Sequence, residues 1–526
     1  MSVKTTFARV TCVAAVFAAA ACGTLVDDHN SGAPSNDTSI TGGSATAGAE
    51  PGQGGPQSTA APNSSAATGV VLPSTPVGAT GSSTAVTARP VGGSHDTSKP
   101  SAASSTKATN TSIPSAGQSG LGFTANTINL GFSLPDSSGN QIYSSAGGSG
   151  VDQADLPTAV KAIVAYVNAH GGVAGRKINP IFKLHSSAES DSSTAYAADC
   201  QSFTTDNKVF AAYSADGSAA TIHELADCLA QHKTVLMLQT DTAWDQTDFT
   251  NDAPYVYAPS YLRGDRWPAV IDALIGLNYF DPNYKLGLVS IDEPSAQRLM
   301  NGTVIPTLKA RGIKVTDSAS ASTFSDFAGL GKLAADTANI AVRFKAEGID
   351  HVMFVGTYTS VSYFFPKAAD GQKYYPRYAV TTVEAPQALT TNESAAQMHR
   401  AVGVGWNVGL DVADAQDPGD NPRFKQCLDI ATKAGVSVPD RPGAYGIAAI
   451  CDAIDFLQAA LAKATTLSPA GMAAAVGNLG TSYLSTQTHD TFFSPGHYDG
   501  VGSVRGLLYD DACTCFKYTG PYIPVH

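Results

Sequence analysis

From Phe123 onward the chain alternates short apolar runs with segments whose apolar residues recur at helical spacing, and few architectures accept that pattern. Thr127–Phe132 reads as a strand. Leu156, Val160, Ile163, Val164 and Val167 then fall on one helical face, and Gly171-Gly172 ends that helix. Ile178–Leu184, Lys208–Tyr213 and Thr234–Leu238 read as further strands, with a helix through Leu225 and Leu229. A second series follows: Lys285–Ser290, a helix over Gln297–Arg311, Ile313–Thr316, a helix near Asn339–Glu347, and His351–Gly356. Ile447, Ile450, Ile454, Leu457 and Leu461 mark a late amphipathic helix, ahead of a strand at Val504–Tyr509 and the C-terminal Tyr518–Val525. Strands separated by helices build βαβ units and parallel sheets. Two such series predict an α/β chain of two doubly wound, Rossmann-like lobes joined by a hinge. Open sheets of this kind bind ligands beyond the carboxyl ends of their strands, so two facing lobes would form a cleft.

Upstream of Phe123 the character is different. Charged residues make up only 14% of the 526-residue chain, well below the usual share, because a long N-terminal stretch carries almost none. Residues 23–122 are dominated by Ser, Thr, Gly, Ala and Pro and cannot bury enough apolar surface to offset ordering, so a disordered tether is expected there. A flexible chain of that length has an end-to-end distance of roughly 55 Å. Residues 1–22 read as an export signal: Lys4 and Arg9 precede the apolar run Val10–Ala21. Ala19-Ala20-Ala21-Cys22 is similar to a bacterial lipobox, which would put lipid on Cys22 and anchor the chain extracytoplasmically at the membrane. The same alanines also suit an ordinary cleavage site that leaves a secreted chain.

A net charge of −12 argues against a sequence-independent grip on nucleic acid. Of eight cysteines, Cys12 and Cys22 belong to the leader, leaving Cys200, Cys228, Cys427, Cys451, Cys513 and Cys515. An even set in an exported chain suggests disulfides. Sequence proximity favours Cys200–Cys228 and Cys427–Cys451, each contributing on the order of 3–4 kcal/mol in the chain-entropy picture. Cys513 and Cys515, one residue apart, read either as a labile disulfide or as thiols. No cysteine or histidine pair has finger spacing, so neither metal nor other cofactor is expected.

Asn168-Ala169-His170-Gly171-Gly172-Val173-Ala174-Gly175-Arg176-Lys177-Ile178 closely resembles a segment of the leucine/isoleucine/valine-type periplasmic binding proteins, the type I solute-binding components of ABC transporters. Ser214–Leu229, Lys285–Asp292, Ile349–Gly356 and Ala444-Tyr445-Gly446 resemble later segments of that family in the same order. The Cys200–Cys228 pair also resembles a disulfide of its first lobe. The resemblance implies three crossings between lobes, with 123–256 and 385–485 in the first and 257–384 and 486–526 in the second. It implies a small polar solute, an amino acid or related amide, and ABC permease subunits as partners. A sensor or adhesion lipoprotein of the same fold is the alternative.

The positions matching the family's ligand contacts are Ser214, Gly217 and Ser218 at the start of a first-lobe helix, where free N–H groups and a partial positive charge suit an anion. Ser218 would equally serve as a helix cap. Thr240 and Thr242 follow the next strand, and Trp244 nearby is a wall or a core residue. In the second lobe Glu293, Tyr358 and Glu384 each follow a strand, and the resemblance places a ligand-ammonium partner near Glu384. The family's Gly-Pro and Asp-Asp-x-x-Gly turns are replaced by Ala212-Tyr213-Ser214 and Asp292-Glu293-Pro294-Ser295. No G-x-S-x-G, P-loop, H-E-x-x-H or dinucleotide fingerprint is present, and His223-Glu224 lacks a second histidine, so no catalytic residue is assigned.

Overall fold

The computed structural model describes residues 119–136, 155–186, 192–215, 219–239, 244–324, 327–357, 359–438 and 441–526. All lie in one compact unit, Ala103–His526. The expected leader, Cys22 and nearly all of the tether fall outside them, as do Gly217, Ser218, Thr240, Thr242 and Tyr358.

Two separate sheets organise the unit. The first has the order β2-β1-β3-β4-β5, built from Thr127–Pro135 (β1), Lys177–His185 (β2), Ala211–Ser214 (β3), Val235–Leu238 (β4) and Val256–Tyr257 (β5). Every pairing in it is parallel. The second comprises Leu286–Ile291 (β6), Val315–Ala321 (β7), His351–Phe354 (β8), Arg377–Thr381 (β9), Val402–Gly405 (β10), Ser503–Asp510 (β11) and Cys515–Pro524 (β12), in the order β12-β11-β10-β9-β8-β6-β7. Its parallel part, β7-β6-β8-β9-β10, repeats the order of the first sheet, and an antiparallel hairpin, β11–β12, extends it.

Helices cover both sheets. Around the first lie α1 (Leu156–Ala169), α2 (Ser192–Gln201), α3 (Ala219–Gln231) and α4 (Gln246–Asn251). Beside the second lie α5 (Trp267–Gly276), α6 (Pro294–Arg298), α7 (Ile305–Ala310), α8 (Phe327–Glu347) and α9 (Thr359–Gly371). The chain then returns to the first sheet through α10 (Pro422–Lys433), α11 (Arg441–Lys463) and α12 (Pro469–Val476). Parallel strands buried on both faces must be apolar throughout, which is why β4 and β6 read as continuous apolar runs. The expected helix over Gln297–Arg311 is three pieces, with a π-helical stretch at Leu299–Val304 between α6 and α7. Pro306 has no N–H for the carbonyl one turn back, which widens the helix there. α11 is long and apolar enough to cross a membrane, yet 78% of its apolar window is buried in the first core.

The cores record where the chain crosses. Tyr257 packs in the first core and Leu262 in the second; Val412 lies in the second and Cys427 in the first; Phe493 lies in the first and Val501 in the second. Strand β10 pairs with β9, and Val402, Val404 and Trp406 pack in the second core, so the crossing expected at residue 385 comes beyond residue 405. The cause is local: backbone hydrogen bonds to β9 are available only in the second sheet.

Cys200–Cys228, Cys427–Cys451 and Cys513–Cys515 are disulfides, the last at the β11–β12 turn. Cys200, Cys228 and His232 cluster as metal ligands would, but sulfurs joined to each other offer no thiolate.

The first and third crossings run side by side. The Ala258 N–H donates to the Tyr498 carbonyl at 2.9 Å, and the Gly500 N–H to the Ala258 carbonyl at 3.1 Å. Buried Asp499 faces the guanidinium groups of Arg263 at 3.5 Å and Arg266 at 3.4 Å. A Cβ on Gly500 would lie 2.1 Å from the Pro259 carbonyl oxygen. Gly500→Val is therefore expected to force the two crossings apart and cost about 1–3 kcal/mol in denaturant unfolding. Asp499→Asn takes the carboxylate from buried Arg266 and leaves Arg263 with Asp265 alone, and is expected to cost about 3 kcal/mol in the same measurement.

Candidate functional site

In a sheet of order 2-1-3-4-5, the crevice opens where the chain reverses direction across the sheet, here between β1 and β3, and between β6 and β8. At the first crevice Ser133 of β1 is in register with Ser214, the last residue of β3. Both are buried. The Ser214 hydroxyl finds no hydrogen-bond partner among the described residues. Ser133 Oγ lies 2.9 Å from His185 Nε2, and that same nitrogen lies 2.9 Å from Asp199 Oδ2. A nucleophile–base–carboxylate relay needs both ring nitrogens, one for each partner, so this trio packs without relaying a proton. The Tyr213 hydroxyl donates to Gln239, just after β4, and burial holds that phenol well above its ordinary value.

Trp244 follows the β4 loop and is fully buried. Its backbone N–H donates to the Tyr261 hydroxyl at 2.6 Å, while its indole N–H has no partner among the described residues. The His223 ring, on α3, stacks on the indole at 4.4 Å with an interplanar angle of 15°.

The second crevice places Glu293 after β6, Thr357 after β8 and Glu384 after β9, at the carboxyl ends of three adjacent strands. Glu384 is buried and held by its own lobe. Its Oε1 accepts from the Thr357 hydroxyl at 2.6 Å, and its Oε2 accepts from the Thr381 N–H at 2.6 Å and hydroxyl at 2.8 Å. Burial raises its pKa, and these donors only partly oppose the rise. Glu293 is also buried, and its Oε1 accepts from the Ser295 hydroxyl at 3.1 Å. Ser360, in the first turn of α9, is buried with its hydroxyl unpartnered among the described residues.

The two edges face each other. His223 Nε2 from the first lobe lies 3.5 Å from Glu293 Oε1 of the second. Arg298, at the end of α6, reaches Asp245 Oδ2 at 2.6 Å and also pairs with Asp248 across the same gap. Asp245 and Asp248 form a capping box at the start of α4, which fixes both carboxylates before Arg298 arrives. Beside these pairs lies an open cavity of about 660 Å³, lined by Asp245, Gln246 and Thr247 of the first lobe and Pro294, Arg298 and Asn301 of the second.

Of the expected set, the structure describes Ser214 at the first crevice and Glu293 and Glu384 at the second. It adds His223, Arg298, Asp245 and Asp248. Asp245-x-x-Asp248 is legible as a cap in the sequence. Nothing in the sequence pairs it with Arg298 or His223 with Glu293, because those contacts exist only once the lobes meet.

Among solved structures the architecture is widely shared. A branched-chain amino acid ABC transporter protein from Thermus thermophilus with bound valine superposes with a TM-score of 0.56 at 12% identity, covering 76% of this chain and 97% of its own. A periplasmic binding protein type 1 from Bordetella pertussis Tohama I gives 0.54 at 12% identity, covering 75% and 100%. This chain has the type I periplasmic-binding-protein fold. A solute-binding protein of an ABC transporter from Rhodopseudomonas palustris BisB5, in complex with 3,4-dihydroxybenzoic acid, shares that fold with a TM-score of 0.53 at 14% identity, covering 76% and 98%. No family model matches the sequence, and no curated protein matches it either.

Asp411 lies beyond β10 at the same edge of the type I fold. It is buried and accepts from the Thr382 hydroxyl at 2.7 Å, the Asn407 N–H at 2.9 Å and the Tyr518 hydroxyl at 2.7 Å. Burial nevertheless pushes its pKa up to about 7 from an ordinary 3.8. A carboxyl whose folded value is raised contributes most below its unfolded value and loses that contribution as pH rises to the folded one. The unfolding free energy of the protein relative to Asp411→Asn is therefore expected to fall between about pH 4 and pH 7 and to level off above, in urea titrations at matched pH.

Proposed function

We propose that the chain is an extracytoplasmic solute-binding protein whose two lobes close over a small solute and present it to an ABC-type importer. The observation that carries this reading is the facing pair of crevices, each at a strand-order reversal and each supplying a buried hydroxyl, Ser214 or Ser360, that has no hydrogen-bond partner among the described residues. A buried hydroxyl left unpaired costs free energy, and a bound solute would recover it.

The proposed contacts are Ser214, Gly217, Ser218, Thr240 and Thr242 from the first lobe and Glu293, Tyr358 and Glu384 from the second. Glu384 meets the solute, in this reading, as a pre-positioned acceptor held by Thr357 and Thr381. An amino acid or related amide fits a cleft with hydroxyls on one wall and carboxylates on the other. The named neighbours, with valine or 3,4-dihydroxybenzoic acid bound, support a small solute without choosing between such classes. Lipid on Cys22 and a tether over residues 23–122 would hold the binding unit at the membrane near its permease.

Isothermal titration of the full chain against a library of amino acids, amides and aromatic acids tests the reading. A saturable solute is expected, with Ser214→Val weakening it about tenfold while the melting temperature stays within a few degrees. A library in which no compound binds would overturn it.

A further inference from the structure

We propose that the contact between His223 and Glu293 is a proton-operated latch between the lobes, closing the cleft when the imidazole is protonated and releasing it when the proton leaves. The proposal rests on the solute-binding reading only in taking closure as the working motion of the protein.

Three observations converge on His223. Its ring lies flat against Trp244, which is itself anchored through its backbone by Tyr261, so the direction of Nε2 is set by packing within the first lobe. That nitrogen meets a carboxylate of the opposite lobe, and Glu293 is itself held by Ser295. The charged groups that act on the ring are acidic and come from several elements. Asp248 of α4 and Asp252 at its C-terminal end face the imidazole, Glu293 approaches from the start of α6, and Asp227 follows one turn along α3, hydrogen-bonded to Asp252. Arg298 is the cation nearby, and it is taken up by Asp245 and Asp248.

Burial on its own would lower the pKa of His223. The hydrogen bond to Glu293 and the charges of Asp248, Glu293 and Asp252 outweigh it, and the net direction is upward from 6.5. When the lobes part, Glu293 leaves with the second lobe, whereas Asp248 and Asp252 stay beside the imidazole on the first. The closed arrangement therefore holds the proton more tightly than the open one. Linkage fixes the sign: closure is favoured below the open-state pKa, and the advantage disappears as pH rises through the closed-state value. An imidazolium over an indole face adds a cation–π contribution in the same direction. Asp252 is raised to about 8, by burial and then by its hydrogen bond to Asp227, and titrates in an overlapping range. Asp252 belongs to the first lobe and accompanies His223 in either arrangement, so its titration does not discriminate between open and closed. Arg298 stays charged throughout and ties α6 to α4 without needing a proton at His223.

Two measurements on the full chain test the latch. The first is tryptophan emission from pH 4.5 to 9, with the Trp244→Phe spectrum subtracted to remove Trp267 and Trp406. A protonated imidazole stacked on indole quenches it, so the difference is expected to titrate above 6.5, and Glu293→Gln is expected to move the midpoint down. The second is hydrogen exchange of the peptide spanning α6, corrected for the intrinsic pH dependence. Exchange is expected to be about fivefold slower at pH 5.5 than at pH 8, within the usual range for coupled sites. His223→Gln should abolish that ratio, whereas Arg298→Ala should raise both rates and keep it. A midpoint unmoved by Glu293→Gln, or an unchanged ratio in His223→Gln, overturns the proposal. Neither readout contains a solute, so failure of the carrier reading, seen as an empty binding screen, is a separate result.

Discussion

The buried carboxylate of Asp499, set between Arg263 and Arg266 where two crossings run side by side, is the interaction on which the rest of the molecule depends. Each lobe has its own sheet and its own core, and besides the ion pairs across the gap it is these crossings that oblige one to face the other. A carboxylate removed from water is tolerated only if cations and N–H groups surround it, and here both cations come from the segment entering the second lobe. The arrangement fixes where the lobes pivot. Gly500 lets the crossings approach until a Cβ would collide with the Pro259 carbonyl, so the pivot is also narrow.

From that pivot follows a division of labour among the polar groups of the cleft. Glu384 and Asp411 are buried, and their donors all come from the second lobe or from the chain that returns from it. Those bonds persist whatever the cleft does, so they hold the edge of the second sheet rigid. His223, Glu293, Arg298, Asp245 and Asp248 pair across the gap. Under the proposed closure their partners would change with each opening, which would make their electrostatics register the state of the cleft.

Much of the fold was legible because parallel sheets leave a strong imprint. A strand covered on both faces is apolar along its length, and a covering helix is apolar on one face, so β1, β4, β6, β8 and α1 fall where the pattern put them. The returning helix α11 was read from its apolar stripe for the same reason. Misreadings cluster where propensity is weak or neighbours decide. Strand β10 is only four residues with two glycines, and its place in the second sheet comes from β9 and β11. The expected strand over Ile313–Thr316 is displaced to Val315–Ala321, where alternation with polar residues suits an edge strand covered on one side. Ser214 ends a strand and Glu293 and Glu384 each follow one, as their sequence positions imply, yet the hydrogen-bond partners of the two carboxylates were not legible, since Thr357 and Ser295 look like ordinary loop residues.

The sequence by itself determined the class of architecture, the sites of the first two disulfides and the strand ends that face the cleft, because periodicity, spacing and turn chemistry act over a few residues and are written locally. Only the tertiary structure decided that Glu384 is satisfied from within its own lobe, that His223 reaches Glu293, and that Arg298 closes on an acidic cap fifty residues away. These depend on where two separately folded bodies come to rest against each other. That position is set by a handful of buried charges and one close backbone contact at the crossings, and no local pattern encodes it.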